Sequence, residues 1–245
     1  MGLTMRALTA LGGRDVELRE FPLPDPGPGE VRVAVEAVTV CTQWDLHLRH
    51  GSPMFPGHRF VFPYAPGQPG HEAAGRVAAI GPGVTGLREG DAVALWRDPG
   101  HERPGAYADA VIRDAADVLR VPDGIDPWRV APLELAMCVA AAIVPLAREN
   151  RIRGRVAAVG GLGPAGLIAG RLLRAEGAAD VIGIDPDPRR REMAGRLGLS
   201  AIGLDDLAAL PLRPKGAFDV AIDCHGSAGS VEALMDRTRE IVALF

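Results

Sequence analysis

The chain has 245 residues, of which 47% are hydrophobic and 24% charged, with a formal net charge of −4; that balance suits a soluble globular protein, and the length suits two domains. Charges of both signs are interspersed, so no basic stripe is present to neutralise a phosphate backbone, and nucleic acid is excluded as an expected partner. Three widely spaced cysteines, Cys41, Cys138 and Cys224, argue against a disulfide framework, and the start shows no targeting pattern, so a reducing cytoplasmic setting is expected.

From Met5 to about Ala94, short alternating runs such as residues 31–35 and 77–80 lie between turns rich in Pro and Gly, which predicts β-barrel or β-sandwich structure. The proline-rich stretch 22–29 reads as a rigid connector. Asp126 then opens an Ala-rich stretch to about Arg148 with the period of one or two packed helices, where the domains are expected to join. Its longest apolar run, 135–146, contains Pro145 and is too short to cross a bilayer, so a buried helix is expected and no membrane partner. From Arg155 onward strands (156–159, 181–184, 218–222) alternate with helices (from about Pro164, and 189–197). Such spacing implies crossovers and a parallel sheet covered on both faces. Residues 240–245 read as a fifth sheet strand.

Gly161-Leu162-Gly163-Pro164-Ala165-Gly166 directly follows an apolar strand and opens a helix, the context that gives a glycine-rich match its meaning. The first glycine permits the tight turn, the second lets backbone approach a pyrophosphate, and the third lets helix pack on strand. Asp185 ends the next strand, where a carboxylate can accept ribose hydroxyls and repel a 2′-phosphate. NAD is therefore the expected cofactor. Arg189, Arg190 and Arg191 keep NADP as the alternative, because a guanidinium can clasp an added phosphate.

In the first half, Gly70-His71-Glu72 precedes a strand, and Cys41 follows one, with Thr42, Asp45 and His47 close behind. Thiolate, imidazole and carboxylate together suit Zn²⁺. With the segments 81–91, Gly105-Ala106-Tyr107-Ala108-Asp109 and Pro132-Leu133-Glu134, these motifs make the chain resemble the medium-chain dehydrogenase/reductase superfamily, specifically its zinc-dependent alcohol and polyol dehydrogenases, over nearly its whole length.

The resemblance implies a GroES-like β-barrel catalytic domain over residues 1–125, connecting helices over 126–150, and a Rossmann domain over 151–245 with a doubly wound parallel sheet that lacks its last strand. It implies one catalytic zinc held by Cys41, His71 and Glu134, with Glu72 a direct ligand or an outer partner and Cys138 the alternate, one turn beyond Glu134. Asp45 would orient His71, and Thr42 or His47 would pass a proton outward. Relatives place the Asp three residues after the Cys, with a Ser or Thr between; here the run Cys41-Thr42-Gln43-Trp44-Asp45 is one longer, so either a bulge returns Cys41 to the metal or the site is degenerate. No structural zinc is expected, since the segment from Trp96 to Glu102 has no cysteine, and His101 and Glu102 read as loop surface. The expected activity is NAD(H)-linked interconversion of a secondary alcohol or polyol and its carbonyl compound, with Gly161 to Gly166, Asp185 and Arg190 binding the cofactor. Two other readings stand beside it: a shortened non-redox dinucleotide-binding protein, and a zinc-free alkene or quinone reductase of the same superfamily. Homo-oligomerisation stays open.

Overall fold

A computed structural model describes residues 3–97, 100 and 102–245. The chain divides into two compact units, Met1–Glu134 and Leu135–Phe245.

The first unit opens with β1 (Thr4–Gly12) and β2 (Asp15–Pro22), an antiparallel hairpin. There follow β3 (Glu30–Thr39), the helix α1 (Thr42–His50), β4 (Glu72–Ile80), β5 (Ala92–Leu95), β6 (Ala110–Asp114) and β7 (Val118–Arg120). Their strands form a curled antiparallel half-barrel in the order β6-β3-β4-β5-β7. Alternation explains the curl's interior: Val31 and Val33 on β3 point to one side and pack with Val77, Val93, Leu95 and Val111. A second layer of small residues, Ala74, Ala94, Val121 and Ala131, covers the other side. The expected barrel is thus a GroES-like half-barrel, and its strands extend further than the apolar runs suggested. β4 begins at Glu72, through Ala73, Ala74 and Gly75, which carry little strand preference of their own and are held by pairing with β3.

α1 was not foreshadowed by periodicity, because none of its residues is buried. Its ends account for it. Cys41 caps the start in extended conformation, Gly51 closes the end at φ 65°, and His47, Arg49 and His50 place basic side chains in the last turn, against the negative end of the helix dipole.

The second unit comprises most of α2 (Leu133–Arg148), then β8 (Val156–Gly160), α3 (Pro164–Ala175), β9 (Asp180–Ile184), α4 (Pro188–Arg196), β10 (Ser200–Ile202), α5 (Leu204–Ala208), β11 (Phe218–Asp223), α6 (Ala228–Met235) and β12 (Thr238–Leu244). Five parallel strands run in the order β10-β9-β8-β11-β12. That is the Rossmann arrangement, with the order reversing between β8 and β11, so the carboxyl ends of those two strands flank the crevice where ligands bind in such sheets. Val159 and Ile222 face one apolar cluster, and Ala158, Ala221 and Phe218 face another on the opposite side. The expected helical stretch after Asp126 is a short 3₁₀ turn, Pro127–Val130, followed by α2. The stretch Pro127–Arg148 is long and apolar enough to cross a membrane by length and composition, and it contains Pro145. The expectation of a buried helix holds only in part: α2 buries the stripe Val139, Ile143 and Leu146, because a helix lying on one side of a sheet needs a single apolar face.

Phe218 is fully buried between Ala158, Ile184, Leu207 and Leu234. Phe218→Ala is expected to destabilise the protein by about 3–5 kcal/mol, read as a lowered urea midpoint, because the surrounding cluster cannot collapse into the void.

Candidate active site

The pairing of β3 with β4 sets the candidate metal site of the first unit. Thr39 lies opposite Glu72 in that ladder, so the residues just beyond the end of β3 and just before the start of β4 become neighbours. Cys41 and His71 are those residues. The ligand atoms of Cys41, His71 and Glu72 all lie within 4.8 Å of one another, and His71 and Glu72 are buried.

The extra residue between Cys41 and Asp45 is taken up by a helical turn. A bulge does occur in β3, where Val35 faces Gly75 and Ala37 faces Ala74, but it lies upstream at Glu36. The Asp45 N–H donates to the Cys41 carbonyl at 3.1 Å, the first turn of α1. Separations of three and of four residues both keep two side chains on one helical face, so the longer spacing still leaves Cys41 and Asp45 together.

His71 is oriented through its Nδ1, which lies 2.7 Å from the Pro69 carbonyl. Its Nε2 lies 3.9 Å from Glu72 Oε1 and 3.9 Å from Glu134 Oε2. The orienting part expected of Asp45 therefore falls to Pro69, because the loop turns its carbonyl onto the ring. Asp45 accepts instead from the Tyr107 hydroxyl, at 3.1 and 3.2 Å. Glu72 accepts from the Thr39 hydroxyl at 2.5 Å.

Glu134 stands at the His71 side of the cluster, whereas Cys138 is exposed on α2 and lies outside the group of mutually close ligand atoms among the described residues. Thr42 is exposed on the first turn of α1. His47 sits one turn further on, its Nδ1 3.0 Å from the Ser52 carbonyl and 3.1 Å from that of Pro53. Glu102 is exposed as expected, and His101 lies outside the described residues.

Electrostatics mark the cluster as short of positive charge. Burial opposes the charged imidazolium of His71, yet the hydrogen bond with Cys41, the Pro69 carbonyl and the charges of Cys41 and Glu134 outweigh it and raise the group to about 9. Burial also raises Asp45, against the opposing hydrogen bond from Tyr107. A half-buried thiol gathered round one point with a buried imidazole and carboxylate, the imidazole being the cation of the group, has the donor chemistry of a zinc site. A tetrahedron with bonds of about 2.1 Å has edges of about 3.4 Å, so donors 3.9 Å apart can close on an ion with small shifts.

The second unit carries a candidate site of its own, the turn between β8 and α3. Gly161 adopts φ +83°, a conformation that other residues avoid. A Cβ on Gly166 would meet the Gly161 carbonyl at 1.8 Å, so the helix can approach the turn only without one. Gly163 faces open space, and as N-cap it has no side chain to satisfy the first amides of α3, which begins with Pro164 and Ala165. Those amides and the positive end of the helix dipole form a cradle for an anion.

Beside it, Gly161, Ile184, Asp185, Arg190, Leu207 and His225 line part of a hollow of about 490 Å³. Asp185 is almost wholly buried and accepts from the amides of Leu162 and Asp187, each at 2.8 Å, while Arg190 reaches the same carboxylate at 3.3 Å. Arg189 pairs with Asp187, and Arg191 donates to the carbonyls of Asp185 and Pro186. Each arginine of the run is therefore engaged.

A GroES-like half-barrel in which Cys41 meets the buried His71 and Glu72, joined in one chain to a Rossmann unit with an open glycine turn, defines an oxidoreductase of the alcohol dehydrogenase kind. Residues 27–123 match the family model of the alcohol dehydrogenase GroES-like domain, and the chain as a whole is similar to zinc-type alcohol dehydrogenases of the medium-chain dehydrogenase/reductase superfamily. It is 29% identical to an uncharacterised zinc-type alcohol dehydrogenase-like protein of Escherichia coli K12, over 92% of this chain and 71% of that one. It is 27% identical to (R,R)-butanediol dehydrogenase of Bacillus subtilis, over 91% and 71% respectively. Among solved structures, an alcohol dehydrogenase of E. coli CFT073 complexed with NADH shares the fold with a TM-score of 0.79 at 21% identity, covering 99% of this chain and 76% of that one.

In the metal-free protein the His71 imidazole carries a proton up to about pH 9, and a ligating imidazole must be neutral. Calorimetry of Zn²⁺ binding at pH 7 in buffers of different ionisation heat is expected to show net proton release, which falls as pH rises through 9. The same raised group stabilises the metal-free fold at low pH, a contribution complete below about 6.5 and lost through 9.

Proposed function

We propose that this protein is a zinc-dependent, NAD(H)-linked oxidoreductase that interconverts an alcohol, of secondary or polyol type, and its carbonyl compound. The observation that carries the reading is the close meeting of Cys41 with the buried His71 and Glu72, in a chain whose second unit presents an uncapped helix behind a glycine turn. Named relatives in the same superfamily include butanediol and sorbitol dehydrogenases.

Bound at the cluster, Zn²⁺ would supply Lewis acidity toward the substrate oxygen, and the nicotinamide would supply the hydride acceptor or donor. Cys41 and His71, with Glu134, would give three protein donors and leave a tetrahedral position for substrate, with Glu72 the alternate or outer partner. Pro69 fixes which imidazole nitrogen faces the metal. Asp45 adds negative charge one turn from Cys41 and within electrostatic reach of His71. Thr42, exposed beside Cys41, offers a hydroxyl through which a proton can pass to solvent, and His47, held through Nδ1, keeps Nε2 for exchange with water.

On the second unit, Gly161 to Gly166 and the amides opening α3 would hold the pyrophosphate, and Asp185 would face the ribose with Arg190 beside it. The fixed carboxylate of Asp185 disfavours a 2′-phosphate, and the engaged arginines do not offset it, so NAD is proposed over NADP.

Turnover of polyols and secondary alcohols with NAD⁺, measured beside bound zinc, tests the reading. His71→Ala is expected to lose both zinc and turnover while NADH binding is unchanged; full activity in that variant would discard the metal mechanism, and zinc-free reduction of activated alkenes would favour the reductase reading. In fluorescence titration NADH is expected to bind tenfold or more tightly than NADPH, a difference of about 1.4 kcal/mol from like-charge repulsion at Asp185. Equal affinities would remove the assignment of NAD.

A further inference from the structure

α1 carries Cys41 at its start, yet none of its residues is buried and its N-cap makes no side-chain hydrogen bond. Something other than an apolar face must hold its first turn against the loop that ends in His71. One side chain reaches both. Tyr107 lies just before β6, in the Gly105-Ala106-Tyr107 segment, 62 residues from Asp45 in sequence. Its backbone N–H donates to the Gly67 carbonyl at 3.0 Å, its carbonyl accepts from the Leu8 N–H at 2.9 Å, and the neighbouring Ala106 N–H donates to the Gly70 carbonyl at 2.6 Å. Tyr107 is thus fastened between β1 and the loop leading to His71. A Cβ on Gly70 would lie 2.5 Å from the Tyr107 nitrogen and 2.8 Å from its Cγ, so glycine immediately before His71 lets the tyrosine lie against that loop.

From this fixed base the Tyr107 hydroxyl donates to both carboxylate oxygens of Asp45, at 3.2 and 3.1 Å. Asp45 in turn closes the first turn of α1 onto the Cys41 carbonyl. Further contacts of the helix run to the segment that follows it: Trp44 meets His58 edge-on with ring centres 6.0 Å apart, and His47 engages the Ser52 and Pro53 carbonyls.

We propose that Tyr107 is a positioning residue of the metal site, holding the Asp45 carboxylate and through it the first turn of α1, so that the Cys41 sulfur stays seated beside His71. The inference rests on the metal reading above. A neutral hydroxyl suits the task, because it satisfies a half-buried carboxylate without adding a cation that would compete with a bound metal. Burial and the neighbouring Asp45, Cys41 and Glu72 push the Tyr107 hydroxyl far up, so it stays a donor across the working pH range. Tyr107→Phe removes the donor and keeps the ring that packs on Gly70.

The test is titration of the metal-free full chain with Co²⁺, read by the thiolate-to-cobalt charge-transfer band and the ligand-field bands, for wild type, Tyr107→Phe, Asp45→Ala and the double variant. Loss of a partner beyond the ligands costs roughly 10–100-fold in metal affinity, and about tenfold weaker binding with a diminished charge-transfer band is expected for Tyr107→Phe. In the Asp45→Ala background the second substitution is expected to add nothing, since the hydroxyl acts through that carboxylate. A ring that served packing alone would leave the cobalt spectrum of Tyr107→Phe unchanged. Wild-type affinity and spectrum in Tyr107→Phe, or a full further loss in the double variant, would overturn the proposal while leaving the metal reading in place. Failure of the wild-type chain itself to bind Co²⁺ would overturn both.

Discussion

The register of β3 against β4 is the constraint on which the candidate metal centre depends. Because Thr39 faces Glu72, the chain leaving one strand and the chain entering the other must run side by side, and that is where Cys41 and His71 occur. A slip by one residue would turn the Glu72 side chain to the opposite face of the sheet and separate it from both. The register is fixed by the buried valines of β3 and β4, Val31, Val33 and Val77, so the same apolar packing that stabilises the half-barrel also sets the spacing of the cluster. The Thr39 hydroxyl on Glu72 reinforces that register with a polar contact at the edge of the site.

The second unit solves a similar problem with a different element. In place of side chains gathered at a strand pair, it offers main-chain amides at the mouth of α3, left open because the N-cap Gly163 has no side chain to cover them, while Gly161 and Gly166 permit the turn and the close approach of the helix. The two halves have opposite electrical character. The first gathers thiol and carboxylate groups and is short of a cation, while the second presents the positive end of a helix and suits an anion. Asp185 is the exception within the second half: its carboxylate is spent largely on the Leu162 and Asp187 amides, so it shapes the turn as well as facing the hollow. One residue therefore couples the conformation of the glycine turn to the character of the nucleotide pocket.

Much of this was legible in the residues. The Rossmann unit announced itself because apolar strands, glycines and Pro164 occur in an order that has few other physical uses, and the strands at 156–160, 180–184 and 218–223 fall where alternation placed them. Cys41 and His71 could be singled out by residue type and Glu134 through the family resemblance, but their mutual geometry could not, because it arises from a ladder that pairs Thr39 with Glu72, 33 residues away. α1 was hidden since it buries none of its residues and is held by its C-cap at Gly51 and by Tyr107. Pro69 was hidden because it acts through a carbonyl, which every residue possesses. Tyr107 and Thr39 are hydroxyls next to segments already marked, yet sequence gives no sign that either reaches a carboxylate. The question of the extra residue before Asp45 was answerable only in three dimensions, where a helical turn absorbs what a strand would have had to bulge around.

Zinc K-edge X-ray absorption on the purified full chain bears most directly on the central claim that these residues form one metal centre. One sulfur scatterer at about 2.3 Å, together with nitrogen and oxygen at about 2.0–2.2 Å, is the predicted shell, with Cys41 the source of the sulfur. A shell of nitrogen and oxygen alone, or a chain that takes up no zinc from a supplemented medium, would contradict the account.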